Sequence, residues 1–247
     1  MQHPVAFTVK DTIFGPRAEM SNFFDLILNG HVWVQYPHTV LAGFTTGAVF
    51  VLAISAINLV GKNPQPIFKK LIKPVAIFGF ISIALTIGAG DASGKFIAKE
   101  QPMKLAAAEG LWETTDKAPF SIISFIDEDS KENTMAIEVP YLLSILAFND
   151  PSATVLGINE IQAKYEADYG KGDYTPPVNL VFWSFRVMIY TGSLLLLLLF
   201  ITAVFTKKLH TTKWFYKMLI VMLPMPYLCN TFGWIFTEVG RQPWMVQ

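Results

Sequence analysis

Four stretches of this chain are too long and too apolar to fold in water as ordinary surface helices. A helix crossing the roughly 30 Å hydrocarbon core of a bilayer needs about 20 mostly apolar residues at about 1.5 Å each. Residues 32–61 carry no charge apart from the titratable His38. Residues 74–91 form a shorter stretch that closes on Asp91. Residues 179–206 include six consecutive leucines and a single charge, Arg186. Residues 217–238 end on Glu238, and Pro224 and Pro226 kink them. The sequence predicts an all-α polytopic membrane protein, a bundle of about four transmembrane helices with a large external loop at 92–178. External segments at 1–31 and 239–247 flank it.

Composition agrees. Only 15% of the 247 residues are charged, against about 25% in a soluble domain. A disordered chain, a basic nucleic-acid binder and a small disulfide scaffold are all excluded. Cys229 is alone and pairs with nothing in the chain. Residues 1–30 lack the apolar core of a secretory signal. The 34 aromatic residues (20 Phe, 8 Tyr, 6 Trp) suit the belts at a membrane interface.

The formal net charge of zero hides a polarity that sets orientation. One short connection carries Lys62, Lys69, Lys70 and Lys73; another carries Lys207, Lys208, Lys213 and Lys217; neither contains an acid. With four spans both lie on one side, which the positive-inside rule makes cytoplasmic. Residues 91–178 hold fifteen acids against seven lysines and fall outside. So long a connection needs structure of its own. Helices are predicted at 103–112 and 155–169, and the Asp127-Glu128-Asp129 run reads as a solvated face.

On this topology His38, Arg186, Met188, Trp234, Glu238 and Arg241 reach one layer near the outer surface from three spans. An ionisable group in the membrane is costly and marks a candidate site. Neutral imidazole and thioether suit a low-spin haem iron, and arginine suits haem propionates. Blander readings stand beside these. A lone membrane histidine can simply bond a neighbouring helix, Met188 is one of nine methionines, and Glu238 and Arg241 can snorkel as helix-end groups. His3, His31 and His210 lie outside the spans, and Cys229 reads as a packing residue. Nucleotide, phosphate, CxxC and HExxH motifs are absent. The residues alone leave redox chemistry and transport open.

The last span carries Gly233-Trp234-Ile235-Phe236-Thr237-Glu238-Val239-Gly240-Arg241-Gln242-Pro243-Trp244. It resembles the GWxxxExGRQPW signature of subunit I of the cytochrome bd quinol oxidases. Pro37-His38-Thr39-Val40 with Gly43 and Thr46-Gly47-Ala48 resembles the family's haem-ligand helix. Gly90-Asp91-Ala92-Ser93-Gly94 is similar to its GDxSG turn, and Phe185-Arg186-Val187-Met188 to its FRxM helix. Lys104-Leu105-Ala106-Ala107-Ala108-Glu109 with Trp112-Glu113-Thr114 resembles the start of its quinol-binding loop, here in a short form. Met1-Gln2-His3-Pro4 is similar to an internal family stretch, MQNP.

The resemblance implies specific roles. His38 and Met188 match the axial ligands of low-spin haem b. Glu238 matches the carboxylate ligand of a high-spin haem, b or d. Arg186, Arg241 and Trp234 match the haem surroundings, and Lys104 and Glu109 the quinol site. The implied cofactors are low-spin haem b, high-spin haem b and haem d. The implied partners are oxidase subunit II, small accessory subunits, quinol, O2 and the lipid bilayer, without nucleic acid. The implied place is the bacterial plasma membrane with the loop on the periplasmic side. The family subunit has about four helices before the Met-Gln-His-Pro stretch and at least one after Gln-Pro-Trp, so the chain is expected to be the central part of a longer product. A scaffold without cofactors, serving transport or assembly, is the competing expectation.

Overall fold

The structure, a computed structural model, describes residues 5–210 and 212–244. The Met1-Gln2-His3-Pro4 stretch lies outside the described residues. In chain order the elements are β1 (Phe7–Thr12), β2 (Gly15–Met20), α1 (Phe23–Ile27), α2 (Gly30–Val60), α3 (Pro66–Glu100), α4 (Pro102–Glu109), β3 (Thr115–Asp116), β4 (Phe120–Asp127), β5 (Glu132–Val139), α5 (Leu142–Phe148), β6 (Thr154–Val155), α6 (Ile158–Tyr169), α7 (Val178–Leu209), α8 (Lys213–Val221) and α9 (Met225–Val239). Helices α2, α3, α7 and the α8–α9 pair are each long and apolar enough to cross a membrane. The described residues form two compact units, a bundle unit of Pro37–Gly90 with Leu180–Thr237, and a loop unit of residues 5–36, 91–179 and 238–244.

The bundle unit is held by a core to which every span contributes. Val49, Leu52 and Ala56 of α2 meet Ile72, Ala76 and Ile83 of α3, Leu195 and Leu199 of α7, and Phe215, Met218 and Leu219 of α8. Small residues set the closest approach, as between membrane helices generally. A Cβ on Gly79 of α3 would lie 2.9 Å from Ala48 Cβ and 3.2 Å from a Leu199 methyl. Most hydroxyls buried in these helices turn back on their own backbone. Thr45 donates to Leu41 O at 3.0 Å, Ser55 to Val51 O at 2.7 Å, Ser82 to Phe78 O at 2.9 Å and Thr202 to Leu198 O at 2.7 Å. Each is thereby satisfied without water.

Helix bounds differ from the hydropathy reading for a physical reason. The second span is not confined to 74–91: α3 continues from Pro66 to Glu100. Apolarity reports the membrane-buried window, while the helix itself extends into charged flanks. Lys95 pairs with Asp91 at 2.5 Å, one turn earlier, and supports the extension. Gly90-Asp91-Ala92-Ser93-Gly94 is therefore helix and not a turn, and segment 92–178 begins inside α3. The last span is two helices because Pro224, between α8 and α9, has no N–H to continue the ladder.

The loop unit adds strands to an expectation that was all helix. Three antiparallel pairs form, β1 with β2, β3 with β6, and β4 with β5. In β4, inward Ser121, Ser124 and Ile126 alternate irregularly with outward Ile122 and Phe125. The acid run is spent on structure. Asp127 accepts from the backbone N–H of Asp129 at 3.0 Å and shapes the β4–β5 connection. Glu128 accepts from Asn179 N–H at 2.6 Å, satisfying an open donor in the first turn of α7.

The helical stretches predicted inside the loop are α4 and α6. Pro102 opens α4, and Gly110, with φ of 62°, closes it directly after Glu109. Gly157 stands before α6 because the backbone of Trp112–Thr114 passes too close for any side chain. A Cβ there would lie 2.3 Å from Glu113 C. Ile158 N–H then donates to Leu111 O at 2.9 Å, and Asn159 Nδ2 to Glu113 Oε1 at 2.7 Å.

Because Ala48 Cβ is rigid, Gly79→Val forces helices apart and lowers stability by about 1–3 kcal/mol. Thermal unfolding of the detergent-solubilised protein measures this; an unchanged transition would show that α3 does not pack as described.

Candidate functional site: an oriented imidazole and a buried lysine–glutamate helix

Within the bundle unit, α2 presents His38. Its Nδ1 lies 2.9 Å from Thr86 O of α3. A carbonyl can only accept, so Nδ1 carries the proton and Nε2 keeps its lone pair, the tautomer a metal ligand needs. Gly90 makes the arrangement possible, because a Cβ there would come within 3.2 Å of His38 Cε1. Met188 of α7 is seated in the same manner. A Cβ on Gly233 of α9 would lie 2.9 Å from Met188 Sδ. Cys229 donates its thiol to Met188 O at 3.4 Å, a packing contact that fastens α9 to α7 beside the thioether.

Arg186 is wholly buried, with its guanidinium carbon 4.2 Å from the Phe182 ring centroid. Arg186 and Met188 are two positions apart on the helix, so they leave α7 about 200° apart. Trp234 is 67% exposed on α9. His210 is tied locally, Nδ1 at 3.2 Å from the Tyr216 hydroxyl. The His31 ring packs on Phe96 at 5.0 Å.

The loop unit gathers the other candidates. Lys104 and Glu109 of α4 are 2% and 3% exposed, exceptional for charged side chains. Burial pushes the Lys104 ammonium down to about 8; Glu238 pulls it back up and Arg241 presses it further down. Both Nε and Nη2 of Arg241 donate to Glu238 Oε2, at 3.1 and 2.5 Å. The two bonds fall on one carboxylate oxygen. Trp244 stacks on Tyr174 with centroids 5.3 Å apart, and Tyr165 and Tyr169 complete the aromatic group. Gln162 fixes Tyr174 by accepting from its backbone N–H at 2.9 Å.

The structure thus brings Lys104 into electrostatic reach of Glu238 and Arg241 in the loop unit, and places His38, Arg186, Met188 and Trp234 in the bundle unit. Sequence reasoning missed Thr86, a backbone carbonyl that no pattern reveals. It also missed the Gly90 and Gly233 seats, although both glycines stand inside the motifs.

The bundle unit of this four-span membrane protein carries an oriented imidazole and a glycine-seated thioether, and the loop unit carries a buried Lys/Glu helix. The chain belongs to the cytochrome bd terminal oxidase subunit I family, whose sequence profile matches residues 1–247. It is 41% identical over its whole length to cytochrome bd ubiquinol oxidase subunit 1 of Bacillus subtilis, covering 52% of that protein. It is 32% identical to cytochrome bd-II ubiquinol oxidase subunit 1 of Escherichia coli, covering 59%. The bd oxidase structure from Geobacillus thermodenitrificans superposes with a TM-score of 0.86 at 30% identity, over 99% of this chain and 54% of that one. The chain spans little more than half the length of these relatives.

Two outcomes follow. Between pH 8 and 10.5 the unfolded chain keeps a Lys104 proton that the folded chain has released, so stability rises with pH across that window. Lys104→Met removes this rise; melting curves at pH 8 and pH 10 compare the two, and equal slopes would refute the burial. Gly233→Val drives Met188 Sδ from its seat; chemical oxidation of Met188, followed by peptide mass spectrometry, should then change in rate, and an unchanged rate would show that the seat is slack.

Proposed function

We propose that this chain is the quinol-oxidising, haem-binding part of a terminal respiratory oxidase, and that the observation carrying the reading is the His38 imidazole, held by Thr86 O with Nε2 left for iron. The residues fit the group. Nε2 of His38 and Sδ of Met188 supply a neutral nitrogen and a thioether, the donor pair of a low-spin haem b. Glu238, with both arginine bonds on Oε2, retains Oε1 for a high-spin haem. Arg186 and Arg241 offset the negative charge of haem carboxylates, and Trp234 borders the haems. Bound haem b and haem d supply the one-electron steps by which quinol reduces oxygen to water.

The quinol site belongs to α4. Lys104 donates to a quinol oxygen, and Glu109 accepts the proton released as the quinol is oxidised. Burial of both excludes bulk water, which strengthens each contact with the substrate. The two lysine-only connections stay on the cytoplasmic face of the plasma membrane and leave segment 92–178 outside, so protons from quinol leave on the outer side and contribute to the proton-motive force. Relatives named as subunit 1 of ubiquinol oxidases support assembly with a second subunit, and small accessory subunits join it in this proposal.

Glu109→Gln should reduce quinol oxidation by about a hundredfold or more with haem content unchanged. Met188→Leu should remove the low-spin haem signal from the reduced-minus-oxidised spectrum while the chain still inserts. Full turnover in the first, or an unaltered spectrum in the second, contradicts the assignments. A haem-free protein from a haem-replete host would favour a scaffold without cofactors.

A further inference from the structure

Strand β5 is turned out to solvent at every position but one. Seven of its eight residues are exposed, and Asn133 alone is half-buried. The cause lies in the register. Phe125 of β4 pairs with Met135, but Ile126 pairs with Asn133, so Thr134 is an extra residue of β5. Such a bulge reverses the alternation of faces. Phe125 and Met135 point outward, while Ile126 and Asn133 turn inward. Thr134 Oγ1 donates to Phe125 O at 3.2 Å and closes the bulge.

The inward amide meets the end of α4. Trp112 Nε1 donates to Asn133 Oδ1 at 3.2 Å, and Asn133 Nδ2 donates to Gly110 O at 3.0 Å. An indole N–H can only donate and a carbonyl can only accept, so these partners fix which way the amide points. Gly110, in the left-handed conformation, stops α4 directly after Glu109. One side chain thus grips both the carbonyl next to Glu109 and the ring of Trp112. Trp112 is buried, so its N–H depends on this partner rather than on water. Leu111 O and Trp112 O are taken up by the N–H groups of Ile158 and Asn159 of α6. Asn133 ties the same segment to the β4–β5 hairpin.

We propose that Asn133 is a positioning residue for quinol oxidation: it fixes the turn that ends α4 and so sets where the Glu109 carboxylate stands. This rests on the reading of Glu109 as the proton acceptor. Without the amide, Gly110 O and the Trp112 N–H lose their partner and the turn is free to shift. A displacement of about 1 Å at a reacting group costs up to about a hundredfold in rate.

The test measures Asn133→Leu in the full oxidase complex, in the parent and in the Glu109→Gln background. In the parent it should lower kcat/KM for quinol by about tenfold or more. The haem spectrum should stay unchanged, as should oxidation of tetramethylphenylenediamine, a one-electron reductant that bypasses the quinol site. In the Glu109→Gln background the same substitution should cost less than about twofold, because residues acting through one step do not add. Parental quinol turnover in Asn133→Leu overturns the proposal. So does an equal fold loss in both backgrounds, or a matching loss with the one-electron reductant, either of which assigns Asn133 to folding alone. If Asn133→Leu does not assemble, Asn133→Asp, of the same size and still able to accept from Trp112, is judged by the same criteria. Full quinol turnover in Glu109→Gln alone removes the underlying reading, a result the single variant tells apart.

Discussion

In hydrocarbon a carbonyl or hydroxyl has no water to turn to, so each must find a partner within the protein. That requirement orders the bundle unit. The helices consume their backbone groups, and the threonine and serine hydroxyls return to carbonyls of the preceding turn. His38 meets the same demand with one nitrogen, through Thr86 O. An imidazole has two nitrogens, and satisfying the first fixes the second as a lone pair. One hydrogen bond thus both solves the solvation problem and fixes the tautomer.

Close approach is the second constraint, and it is met by missing side chains. Gly79 lets α3 meet Ala48 and Leu199, Gly90 lets His38 lie on α3, and Gly233 seats Met188 against α9. In the loop unit Gly157 does the same for the Trp112–Thr114 backbone. Trp112, Glu113 and Thr114 thereby clamp the start of α6, while Lys104 and Glu109 are buried on α4 next to them in sequence.

Much of this was legible in the sequence. Four apolar stretches showed the spans, and Met188, Glu238 and Lys104 stood out inside long motifs. Helix ends were not legible, since α3 continues through Asp91 and Lys95 on an ion pair that hydropathy does not weigh. The β4–β5 hairpin was masked by its acidic connection, which read as a solvated face; Glu128 and Asp129 are indeed exposed, and Asp127 and Glu128 also accept from backbone donors. Thr86 could not be found from sequence, because its contribution is a carbonyl that every residue has.

The proposed function requires His38 to be an iron ligand and not merely a histidine satisfied by a neighbouring helix. An experimental density map of the protein purified with its haems addresses this directly. The expected map has an iron between His38 Nε2 and Met188 Sδ, with Nδ1 still on Thr86 O. A map in which that iron takes other axial ligands, or in which His38 and Met188 pack against protein with no haem between them, would contradict it.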